Sequence, residues 1–159
     1  MKQKTLSNYL KIIIIGVAIC GLAFYFGVLP SYGQSIVYQY PEFAFRYWPW
    51  LIFLWVTGIP CYVVLVFCWK IAANIGKDRS FSFENANYFK WISWLAAGDT
   101  IFFFVANVVY LFLNLSHPGV VLISLLVVFA GVSVAVGSAV LSHLVTKAAG
   151  LQEENDLTI

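Results

Sequence analysis

Asp99 is the residue with the clearest chemical potential, because it stands inside a long apolar run. An ionisable group at membrane depth is expensive and is a candidate functional residue by default. Asn107 and Asn114 follow it, seven residues apart and so on one helical face. Asp99 lies roughly 80° around from Asn107, at the edge of that polar stripe. A second set of polar residues comes later, in "GVSVAVGSAVLSHLV". There Gly131, Ala135 and Ala139 recur at every fourth position and His143 continues the row, with Ser138 and Ser142 beside it. A carboxyl facing a hydroxyl or an imidazole can serve as a polar lock between helices or as a proton- or ligand-sensing pair. The expected contacts are Asp99–Ser138 or Asp99–His143, reached through a tight hairpin.

Catalysis finds little support. The chain has no HExxH, no glycine-rich phosphate loop and no CxxC. Ser133 and His143 are ten residues apart, roughly 15 Å along one helix and on different faces, so they form no dyad. Cys20, Cys61 and Cys68 all fall in apolar runs and read as small packing residues. No catalytic residue, metal site or cofactor is expected.

The elements that must position these residues are membrane helices. Of 159 residues, 62% are hydrophobic and only 10% are charged, and the mean hydropathy is +0.86. Soluble domains are about 45–50% apolar and about 25% charged. The excess must face lipid, and the net charge of +2 gives no reason to expect direct nucleic-acid binding. A helix needs roughly 20 apolar residues to cross the hydrocarbon. Four runs qualify, at about 12–29, 48–69, 91–115 and 120–145. The expected fold is an all-α membrane protein of one domain, a bundle of four transmembrane helices. The first run is longer than the roughly 7–15 apolar residues of a signal peptide, so a retained anchor is expected, ending at Pro30. Pro60, beside Gly58, predicts a kink in the second span.

Lys2, Lys4, Lys11, Lys70, Lys77, Arg79, Lys90 and Lys147 fall on one side of these spans and only Arg46 on the other. Basic residues collect on the cytoplasmic side. Both termini and the loop "NIGKDRSFSFENANYFKWI" are therefore expected in the cytosol, with the protein in the bacterial inner (cytoplasmic) membrane as a multi-pass protein. In that loop Gly76 suits a helix end, Ser82 a helix N-cap, and Glu84 the positive first turn. The outer segment 30–47 is rich in Tyr, Trp and Phe, as an interfacial belt or an aromatic platform would be. Glu42 and Arg46 are spaced to pair. Gly150 is expected to stop the last helix and release an acidic tail, 151–159, into the cytosol.

The stretch "FSFENANYFKWI" at 81–92, followed by a terminal "LQEENDLTI", resembles a bacterial family of small four-span membrane proteins with YoaS-like members, known as a domain of unknown function. The resemblance implies no catalytic residues. It implies a setting beside a small Cro/CI-type helix-turn-helix regulator, and so a membrane partner of that regulator. The expected docking residues on the cytoplasmic side are Lys77, Arg79, Glu84, Asn85, Glu153, Glu154, Asp156, Leu157 and Ile159. The favoured expectation is thus a non-enzymatic regulatory membrane protein; the alternative is a small transporter or permease-like subunit working through Asp99.

Overall fold

The structure is a computed structural model that describes residues 3–157, with side chains described through residue 155. Lys2 and Ile159 lie outside the described residues, as do the side chains of Asp156 and Leu157. All regular structure among the described residues is helical. The elements are α1 (Gln3–Ala23), a π-helical turn (Phe24–Val28), α2 (Leu29–Gln39), a 3₁₀ turn (Pro41–Phe43), α3 (Ala44–Gly76), α4 (Phe83–Phe112) and α5 (Pro118–Leu157). Four continuous helical stretches are long and apolar enough to cross a membrane.

Each helix begins before the apolar stretch that marks it, and all but α4 run past its end, because hydropathy reports the thickness of lipid and the backbone carries on beyond it; α4 closes at Phe112, short of the expected 115. The first does not end at Pro30. It continues through a π turn, in which the Leu29 amide donates to the Phe24 carbonyl, five residues back. The wider turn relieves the clash that a proline ring makes with the preceding turn of an α-helix. In that ladder the Tyr25 carbonyl would accept from residue 30, which is a proline with no N–H. The Trp55 indole of α3 donates to it instead, at 2.9 Å. Segment 30–47 is consequently mostly helical, and its aromatics ride on α2 and the start of α3. Arg46 rests over the rings of Phe43 and Phe45, at 4.9 and 5.1 Å, rather than pairing with Glu42.

Both turns that end long helices have the same geometry. After α3, Asp78 adopts the left-handed conformation (φ 63°), its amide donates to Ile75 and that of Arg79 to Asn74. After α4, Asn114 does so (φ 55°), with bonds from Asn114 to Leu111 and from Leu115 to Tyr110. These are Schellman closures, for which Asp and Asn are tolerated substitutes for glycine. Gly76 has a different role from the one expected. It is the last residue of α3, and a Cβ there would approach the Ser7 hydroxyl to 2.8 Å. Ser7, nearly fully buried, donates to the Ala72 carbonyl at 2.6 Å and ties α1 to the end of α3.

Close backbone packing joins α1 to α3, α3 to α4 and α4 to α5, and no other pair of long helices. Among the described residues the long helices therefore pack as successive neighbours in chain order, α1 on α3, α3 on α4 and α4 on α5. Tyrosine and tryptophan donors sew these neighbours together through backbone carbonyls. Tyr62 donates to Ala18, Tyr110 to Pro49 and Trp50 to Leu115, each at 2.9 Å. The Phe53 ring is buried among Trp50, Phe103 and Tyr110 and fixes α4 on α3.

Candidate functional site

The most intimate pair is α4 and α5. Ser93 donates to the Ala135 carbonyl at 2.8 Å and Ser142 to the Ala86 carbonyl at 2.7 Å. The Thr100 side chain lies directly on Gly131. On α4 the contacting positions are thus 86, 93 and 100, a seven-residue repeat, and Asn107 is the next in the series. Asn107 is completely buried; its Nδ2 donates to the Phe103 carbonyl at 2.8 Å and its Oδ1 has no donor.

On α5 the buried residues Ser124, Ala135, Ser138, Val145 and Ala149 are spaced by 11, 3, 7 and 4 residues, combinations of the three- and four-residue steps that make up a seven-residue repeat. A row taken at every fourth residue turns 400° and so drifts about 40° per step. For that reason Gly131 and Ala135 lie in the interface while Ala139 and His143 have rotated out and are exposed. The expected Asp99–Ser138 and Asp99–His143 contacts are not formed. Ser138 is buried in the α5 interface and His143 faces outward. Asn114 leaves the polar stripe altogether, because α4 has already closed before it.

Asp99 looks the other way, toward α3. The 80° separating it from Asn107 is enough to move it from one helix interface to another. It lines an open groove of about 310 Å³ with Val56, Pro60, Trp94, Leu95, Gly98 and Phe102. Cys61 of α3 and Tyr25 of the π turn lie within electrostatic reach. Neither residue was singled out in the sequence as a neighbour of Asp99. The signal available there was Pro60, which lacks the N–H that would bond to the Val56 carbonyl.

A second candidate region lies at the basic end of the molecule. Asn85, only 1% exposed, is not available for docking, as the sequence suggested it would be. Its Oδ1 accepts from Asn74 at 2.9 Å, and its Nδ2 donates to the carbonyls of Arg79 and Ser80, both at 3.1 Å. Its backbone amide donates to the Ser82 hydroxyl, the expected N-cap, at 3.2 Å. The buried amide thus holds the loop between α3 and α4 in one shape. Lys77 and Arg79 remain exposed on that loop. Glu84 is also exposed and accepts from the Tyr88 hydroxyl at 2.6 Å.

Beside the loop, α5 does not stop at Gly150. One glycine costs a helix only about 1 kcal/mol, and Leu151, Gln152, Glu153 and Glu154 are good helix formers. By the Ser142–Ala86 register, α4 begins about level with Val145, so α5 overhangs it by about twelve residues, roughly 18 Å. Residues 151–155, including Glu153 and Glu154, are exposed on this overhang. The expected acidic tail is therefore a helical extension of α5. Its outermost docking candidates, Asp156, Leu157 and Ile159, lie outside the described side chains. No group of three or more potential metal ligands occurs among the described residues.

Comparison with known proteins agrees with a multi-pass membrane protein. The chain is 29% identical over 160 residues to the uncharacterized membrane protein YoaS of Bacillus subtilis (strain 168), an alignment covering 99% of each chain. No solved structure matches it. Residues 31–159 match the model of a protein family of unknown function, DUF2975, and the chain belongs to that family.

Proposed function

We propose that this is a non-enzymatic regulatory protein of the bacterial inner membrane, whose basic end faces the cytosol and holds a small helix-turn-helix transcription regulator. The observation that carries the reading is the overhang of α5 beside a loop fixed by Asn85. A buried amide that takes three side-chain hydrogen bonds defines a surface. The α5 extension then sets Glu153 and Glu154 on the same end of the molecule as Lys77 and Arg79. A surface with both signs of charge, carried by a helix and a hydrogen-bonded loop, favours orientation-specific docking of a partner. The transporter alternative loses support from the geometry, since Asn107, Ser138 and His143 do not gather around Asp99.

The test is co-purification of the full chain from native membranes, compared with a chain ending at Gly150. The full chain should bring down a helix-turn-helix protein, and the shortened chain should insert normally but lose it. Equal recovery from both, or recovery from neither, would refute the reading.

A further inference from the structure

The Asp99 carboxyl makes no hydrogen bond in the groove it lines, and no opposite charge reaches it among the described residues. The nearest cation on its own helix, Lys90, is nine residues away, about 13 Å along the axis. From the neighbouring elements, the groups within electrostatic reach are the Cys61 thiol and the Tyr25 hydroxyl, neither of them a cation. Pro60 lacks the N–H that would bond to the Val56 carbonyl, and both residues line the groove. A carboxyl and the residue whose carbonyl has lost its α-helical donor therefore line one opening. Gly98 leaves it unfilled, since a Cβ there would meet nothing within 4 Å. At the rim stand Trp94, 67% exposed, and Phe102, 45% exposed.

We propose that this groove binds an amphiphilic ammonium ion drawn from the bilayer, with its charged head on Asp99 and its apolar body along Trp94 and Phe102. An ammonium supplies the missing opposite charge together with several N–H donors, enough for the carboxylate and the Val56 carbonyl at once. An indole face at the mouth attracts the same cation. The volume, about 310 Å³, is that of a small-ligand pocket. A bare hard cation is a poor fit, because it needs about six oxygens and the groove offers about three. An anionic amphiphile would meet the carboxylate with like charge. The site lies on the membrane flank of the molecule and stands independently of the docking reading above.

The test uses the full chain in lipid nanodiscs and a decylamine probe carrying a photoreactive diazirine on its alkyl chain. After irradiation, label should map to 83–112, and unlabelled decylamine should compete it away. Asp99→Asn should reduce labelling about tenfold or more, the scale of one lost charge-assisted hydrogen bond. Gly98→Leu keeps the carboxyl but fills the opening, and should reduce labelling as far while leaving the melting temperature unchanged. Glu153→Gln should have no effect. Absence of specific label, undiminished label in Asp99→Asn or Gly98→Leu, or equal labelling by the matching decanol probe would overturn the proposal. Competition by sodium chloride but not by unlabelled decylamine would do so too, by assigning the groove to a simple cation.

Discussion

The amide of Asn85 is held at both ends, and its surroundings cannot rearrange cheaply. Asn85→Ala removes one acceptor and two donors at once, leaving the Asn74 amide and the carbonyls of Arg79 and Ser80 without that partner. Each buried group left unsatisfied costs about 1–3 kcal/mol. The substitution should lower the melting temperature in detergent and expose 77–82 to limited proteolysis, while Lys77→Ala should do neither. Trp55 makes a parallel case inside the membrane. Trp55→Phe keeps an aromatic ring but leaves the Tyr25 carbonyl without its indole donor, where lipid offers no substitute. It should destabilise the chain by about 1–3 kcal/mol, measured as loss of stability in a detergent–denaturant titration. Full stability of Trp55→Phe would mean that the Tyr25 carbonyl finds another donor. Asp99 stood out most in the sequence, as an acid within an apolar run. Its direction was not legible, because 80° around a helix decides between two neighbours and a sequence names neither.

At the level of elements, the four apolar runs were legible because lipid imposes a composition. Their ends were not. Pro30 reads as a stop only if the helix before it is purely α, and a single π turn changes that. Gly150 reads as a stop only if the residues beyond it are poor helix formers, and they are not. The face of α5 was misjudged for a related reason. A four-residue repeat of small side chains describes a short contact, whereas a long hairpin needs steps that sum to seven. Two glycines test this directly. Gly131 lies against Thr100, so Gly131→Leu should separate α4 from α5 and lower the melting temperature sharply. Gly137 is six residues further on and has open space where its Cβ would go. Gly137→Ala should stabilise the helix by about 0.5–1 kcal/mol. If the two variants melted alike, the hairpin register would be wrong.

Across the whole molecule, positive charge gathers at one end of the helices. Of the nine basic residues, all but Arg46 belong to one end by sequence position. A reporter fused after residue 159 should therefore be active only as a cytosolic fusion, and one placed after Gln39 only outside the cytosol. Activity in the opposite compartments would invert the molecule and remove the basis for a cytosolic partner. The packing of successive helices also bears on how the protein is made. The first helix leaves the ribosome carrying a carbonyl, that of Tyr25, whose donor is synthesised 30 residues later. Until Trp55 arrives, that carbonyl has no partner inside hydrocarbon. Release into lipid is then most favourable for α1 and α3 together, as a pre-formed pair. Holding the first segment until the second is translated would spare that carbonyl its cost, and chains stalled before and after Trp55 should then differ in how firmly α1 cross-links to the translocon.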